Sequence, residues 1–130
     1  MLIYVAGPYT KGDVAENVSK AIWVGHEIMD YGHTPIIPHL SHFMHLVRQR
    51  AYDDWMNADF ELIKRCDVVV RIEGESAGSD AETDLADQFE IPVVSQLGKK
   101  WVYKTSNGTL LSALNLVACD RTEKILKGRP

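Results

Sequence analysis

Cysteine is scarce in this chain: Cys66 and Cys119 are the two present, and they form no C-x-x-C pair. A disulfide-stapled framework is therefore excluded, and Cys66, which closes an apolar helix face, reads as a buried thiol. A reducing, cytoplasmic setting follows. Charge of one sign is not concentrated anywhere. The net charge is −4 and no block of five or more like charges occurs, which argues against a nucleic-acid polymer as partner. A single nucleotide needs only a local anion site and stays open. No long apolar run exists, and no charged segment precedes the strand-like start Leu2–Ala6, so neither a membrane span nor a signal peptide is expected. The glycine loop Gly7–Gly12 lacks the G-K-[ST] ending of a phosphate-binding loop and does not spell G-x-G-x-x-G. Triphosphate and dinucleotide binding are thereby disfavoured. Repeats, low-complexity segments and linkers are missing too. What remains is an ordinary globular composition, 25% charged and 45% hydrophobic, read as one domain over residues 1–130.

Strands and helices alternate along the chain. Leu2–Ala6 is a strand, followed by a loop and a helix from about residue 14 to 30 with Val14, Val18, Ala21, Ile22, Gly25, Ile28 and Met29 on one face. Thr34–Ile37 is a second strand, stopped by Pro38; His39–Arg50 reads as a loop or short helix. A helix from about Asp53 to Cys66 carries Trp55, Ala58, Asp59, Leu62 and Ile63 on one face. Asp67–Ile72 is a third strand, Ser79–Phe89 a helix and Pro92–Ser95 a fourth strand. Trp101–Lys104 is a candidate fifth strand, either antiparallel or absent because the gap before it is too short for a helical crossover. A last helix is expected, with Leu110, Leu111, Leu114, Val117 and Ala118 on one face. This order predicts a doubly wound α/β fold, with a mostly parallel sheet of four to five strands and helices on both faces.

Glu82 is the most informative residue. It groups with Leu85, Ala86 and Phe89 at helical spacing, while Asp80, Asp84 and Asp87 fall on another face. Its helix follows a strand, and ligands of open α/β sheets bind at the carboxyl ends of strands. Ser79-x-x-Glu82 also fits a capping box, which would give the carboxylate a local structural task. Asp59 repeats the pattern on the preceding helix: it either pairs internally or faces a cavity. Tyr4 is a core tyrosine or a hydroxyl directed at a carboxylate. Gly7 permits close approach of a ligand to the backbone, Pro8 continues that loop, and Tyr9 offers a ring for stacking. Ser76, Gly78 and Ser79 precede or open a helix, where N–H groups and the dipole favour an anion; a plain loop with a capping serine is the alternative. His39, His42 and His45 recur every third residue, which is no known zinc spacing. His39, directly after the second strand, is placed to touch a substrate.

Taken together, these residues resemble the nucleoside 2-deoxyribosyltransferase superfamily over roughly residues 2 to 95. The resemblance lies in Ile3-Tyr4-Val5-Ala6-Gly7-Pro8-Tyr9, in Pro38-His39-Leu40, in the Asp59 helix leading to Cys66-Asp67-Val68-Val69, and in Ser76-x-Gly78-x-x-x-Glu82. It implies that Glu82 is the nucleophile, Tyr4 its support and Asp59 the contact to the base. Ser76 stands where free-nucleoside transferases carry aspartate, as in the branch that hydrolyses 2′-deoxynucleoside 5′-monophosphates. Pro8-Tyr9 departs from that branch, which has a serine and an arginine-glycine run there, and is closer to the transferases and to small phage and bacterial relatives.

The chemistry implied is cleavage of an N-glycosidic bond in a nucleoside or its 5′-monophosphate, with the sugar passed to water. Base exchange and a non-catalytic nucleotide-binding module are the alternatives. Glu82 is expected to stay ionised at its helix N-terminus, and Asp59 to have a raised pKa. No metal or organic cofactor is implied. A homodimer or homotetramer is expected, from the apolar residues of the last helix with Trp101 and Tyr103, and from the family's habit of completing its site with a neighbouring subunit.

Overall fold

The first strand explains the rest of the architecture. Ile3, Tyr4, Val5 and Ala6 are all fully buried, so this strand needs cover on both faces, as the centre of a parallel sheet does. The computed structural model describes residues 1–98, 100–104 and 110–112. Their elements are β1 (Leu2–Ala6), α1 (Val14–Asp30), β2 (Thr34–Ile36), a 3-10 turn (Pro38–Leu40), α2 (Ser41–Val47), α3 (Tyr52–Ile63), β3 (Val68–Arg71), α4 (Ala77–Gln88), β4 (Val93–Leu97), β5 (Lys100–Lys104) and β6 (Leu110–Ser112). The sheet order is β2-β1-β3-β4-β5-β6. Pairing is parallel from β2 through β4 and antiparallel at β5 and β6.

Alternation along the strands sorts the core into two layers. Ile3, Val5, Val68, Val70 and Val94 meet Ala21, Val24 and Ile28 of α1, with Trp101. Tyr4, Ala6 and Val69 point the other way and meet Ile63 of α3, Cys66 and Ala86 of α4. The doubly wound fold with helices on both faces is thus present. Strands are added on one side of β1 and then, from β3, on the other, which places the crevice of such sheets at Ala6 and Arg71.

Several expectations are corrected. Among the described residues the sheet has six strands, because Leu110–Ser112 pairs with β5 as a strand and does not begin a helix. Three residues, Leu110-Leu111-Ser112, carry no periodicity that separates the two. The remainder of the expected last helix, and Cys119, lie outside the described residues. Trp101 is 5% exposed in this chain's own core, so it offers no surface to a partner. On α3 the inward stripe is rotated: Ala58 and Leu62 are exposed, whereas Met56, Asp59, Phe60 and Ile63 turn inward. Cys66 lies beyond that helix as a buried thiol, donating to Leu62 O at 3.2 Å, and burial pushes it up to about 11. On α1 Val24 is buried in place of the exposed Met29. Phe89 caps the end of α4, half exposed, with the Lys64 ammonium 5.6 Å from its ring centre. Among the described residues no helix is long and apolar enough to cross a membrane.

Candidate active site

Tyr4 stands in the central strand opposite Ile36 and Val69. Its ring belongs to the layer under α3 and α4. Each of those helices brings one carboxylate to it, Asp59 from α3 and Glu82 from α4. Glu82 is 6% exposed. The Tyr4 hydroxyl is close enough for both carboxylates to act on it. Yet Tyr4 Oη and Glu82 Oε2 are buried without a hydrogen-bond partner of ordinary geometry among the described residues. The three groups therefore face one another without closing on one another, as unliganded acid–base sites commonly do.

Burial governs their acidity. It raises the Glu82 carboxyl to about 8; the Asp59 charge adds to this, while the Tyr4 hydroxyl and Arg71 oppose it. Burial raises Asp59 to about 6, again opposed by Tyr4. The Tyr4 phenol is pushed far up, by burial first and then by the Glu82 and Asp59 charges. Asp59 thus has the raised pKa expected of it. The ionised Glu82 expected at a helix N-terminus is not. The helix starts at Ala77, and Glu82 is its sixth residue. The dipole acts mainly within the first turn, so desolvation wins.

The start of α4 also settles the capping question. Ser76 is the N-cap, and its Oγ accepts from the Ser79 N–H at 3.1 Å. Glu82 is thus free of the capping box that Ser79 suggested. Ser79 is 1% exposed, and its Oγ has no partner among the described residues. Gly78 faces α3: a Cβ there would stand 3.1 Å from Tyr52 Oη and 3.5 Å from Met56 Sδ. Ser76, Gly78 and Ser79 therefore lie one to two turns before Glu82 on the same helix, beside two α3 side chains that the sequence did not single out.

The residues of the first loop form a neighbouring cluster. Gly7 is buried, but the space over it is filled by Ile72, whose Cβ lies 3.0 Å from where a Cβ would be. Its glycine serves strand packing, not the ligand approach expected of it. Pro8 sits against Gly74, which has φ +125° and whose added Cβ would fall 2.7 Å from Pro8 Cγ. Lys11 and Glu75 bridge the same two loops at 2.7 Å. His39 is buried; burial lowers its pKa, opposed by bonds to the Pro8 and Gly7 carbonyls. Its Nε2 donates to Pro8 O at 3.1 Å, so the neutral ring leaves Nδ1 as an acceptor, buried and unpartnered among the described residues. Tyr9 bonds through its hydroxyl to His42 Nδ1 at 2.5 Å and lies edge-on to His39. His45 Nδ1 accepts from Trp55 Nε1 at 3.0 Å. The three histidines thus turn to three different partners. Among the described residues no group of three or more His, Cys, Asp or Glu could hold a metal ion.

Arg71 went unnoticed in the sequence. It ends β3 on the same side as Val69, opposite Ala6. Its period-two spacing from Val69 was the available signal.

A doubly wound α/β protein whose helices α3 and α4 bring a half-buried and a buried carboxylate to one buried tyrosine is the class defined by these features. The chain belongs to the DUF7768 family, a domain of unknown function, which matches residues 1–96. No curated protein matches it. Among solved structures it is similar to a 2-deoxyribosyltransferase from the psychrotolerant bacterium Bacillus psychrosaccharolyticus, with 26% identity and a TM-score of 0.58. The similarity covers 76% of this chain and 75% of that one.

Proposed function

We propose that the protein cleaves the N-glycosidic bond of a 2′-deoxynucleoside or its 5′-monophosphate and passes the sugar to water. The observation that carries this reading is the convergence of Glu82 and Asp59, from two helices, on the buried Tyr4 hydroxyl. Two carboxylates flanking a sugar are the tools of retaining glycoside hydrolysis. The ionised Glu82 attacks C1′ as the C1′–N bond breaks, forming a glycosyl ester. Asp59 gives its proton to the departing base. Water then attacks C1′, Asp59 takes the water proton, and Glu82 is released as carboxylate. Tyr4 orients Glu82. Ser76, Gly78 and Ser79 receive the 5′ end, where the Ser76 hydroxyl can still donate while its oxygen caps α4. Pro8, Tyr9 and His39 border the base side. No step of this scheme calls for a metal or an organic cofactor.

Transfer of the sugar to a second base is the other reading, favoured by the likeness to a 2-deoxyribosyltransferase. It differs only in the acceptor. In either reading the chain acts as one cytoplasmic domain in a homo-oligomer; the exposed Phe43, Met44, Leu46 and Val47 of α2 support association, and sedimentation measures it. The deciding assay is incubation with each deoxynucleoside and each 5′-monophosphate, with chromatography for free base, with and without an acceptor base. Base release from none of them refutes the proposal; release that needs an acceptor selects transfer.

A further inference from the structure

We infer that Arg71 is a positioning residue for Glu82: a guanidinium clamped at the carboxyl end of β3, holding the turn into α4 and presenting a fixed positive charge to that carboxylate. The inference rests on the reading of Glu82 as the reactive group. Arg71 lies opposite Ala6 in register. Its side chain therefore rises on the sheet face that carries Tyr4 and lies under α3 and α4.

Three acceptors hold the guanidinium. Nη1 donates to Ile72 O, and Nη2 donates to Gly74 O at 2.9 Å and to Asp80 Oδ1 at 3.2 Å. These acceptors run from the strand end to the first turn of α4, so one side chain ties the whole connection down. A planar fork of donors is suited to that task, and an ammonium is not. The two ends of the ion pair differ in exposure. The Arg71 side chain is 13% exposed and that of Asp80 is 70% exposed. Water screens the carboxylate of the pair more than the cation, so Asp80 does not cancel the field of Arg71 on its buried side. That field reaches Glu82, where it works against the burial that favours the neutral acid. Glu82 lies beyond the first turn of α4, so Arg71 supplies what the helix dipole supplies only weakly there.

Carboxyl-carbon NMR of the full chain tests this directly, with the Glu82 signal assigned by its loss in Glu82→Gln. In Arg71→Met the Glu82 titration midpoint should rise by about one pH unit, the lower end of what an adjacent opposite charge does. Arg71→Lys keeps the charge and should leave the midpoint near that of the parent. Should the methionine variant fail to fold, Arg71→Gln carries the same expectation, because its amide can still donate to a carbonyl. A folded neutral variant with an unmoved midpoint overturns the inference. So does a lysine variant shifted as far as the neutral one, which would make Arg71 a structural tie alone. The measurement needs no turnover. A chain that releases no base would refute the proposed reaction and leave the titration result standing, whereas an active chain with Glu82 insensitive to Arg71 would refute only the inference. In active protein, the alkaline limb of kcat/KM, which follows the carboxyl titrating near 8, should move up with the NMR midpoint.

Discussion

Glu82→Gln should make the protein more stable and inactive at once. The Glu82 carboxyl moves from an ordinary 4.5 to about 8 on folding. At pH 7 the folded chain thus retains a proton that the unfolded chain has released. Retaining it costs 1.36 kcal/mol for each unit between 4.5 and 7, or ~3 kcal/mol as an upper figure. Asp59 and Tyr4 share the same field, so about 1–3 kcal/mol is expected for Glu82 itself. The sign follows from proton counting. Between the two values the folded state binds more protons than the unfolded state, so stability falls as pH rises and the full penalty stands above the folded value. Glutamine has the same shape and no proton to hold. Thermal unfolding from pH 4.5 to 9 should show matching midpoints at the acid end. Above pH 7 the variant should be higher by roughly 3–10 °C. Turnover should fall by about 10³-fold or more, as removal of a nucleophile does. A variant no more stable than the parent at every pH would refute the burial argument. Near-parental base release in the folded variant would end the nucleophile reading.

Asp59→Asn should slow cleavage by roughly 10²–10⁴-fold, the range of general acid–base groups; a nitrophenyl deoxyriboside, whose leaving group needs no proton, should be slowed much less, and equal slowing of both would count against the role. The pH profile of kcat/KM should be a bell with its maximum near pH 7, because the carboxylate pair titrates around 6 and 8; a rate independent of pH from 5 to 9 would exclude the pair. Ser76→Ala removes the N-cap of α4 and should cost ~1 kcal/mol of stability. It should also weaken use of a 5′-monophosphate about ten-fold or more while sparing the free nucleoside, since bonds to a charged group contribute about 1.5–3 kcal/mol; equal loss on both substrates would leave Ser76 a cap only.

The parallel part of the sheet was legible because its strands are buried on both faces and spell unbroken apolar runs, as Val68-Val69-Val70 does. Tyr4, Asp59 and Glu82 were legible for a related reason: a polar group at an inward position breaks the pattern and draws notice. Arg71 breaks it in the same way, but at a strand end, where an arginine more often reaches water. The stripe of α3 was misplaced because Ala58 and Leu62 are as apolar as the residues that pack, and only the crossing against α4 chooses between them. Ser76 and Ser79 are both capping residues in composition, and backbone geometry alone selects Ser76. The acidity of Glu82 was misjudged because it turns on how far into the helix the residue falls.

That acidity bears on the chemistry itself. In the free protein the order is inverted for the reaction proposed: at neutral pH the group meant to attack holds a proton, while the group meant to donate one has lost it. With Glu82 the weaker acid of the pair, the reactive pairing, Glu82 ionised and Asp59 protonated, is the minor arrangement in the free protein. Substrate is placed to offset this at both ends. A base seated at Asp59 offers a lone pair, which favours the protonated acid, and the positive charge developing at C1′ favours the Glu82 anion. Neither interaction is complete before the glycosidic bond stretches. Both therefore strengthen toward the transition state, where added binding raises the rate rather than merely holding the substrate. A Glu82 already ionised before substrate binds would forgo that difference. Burial of the carboxyl thus makes the reactive arrangement depend on the substrate, with Arg71 limiting the cost of reaching it.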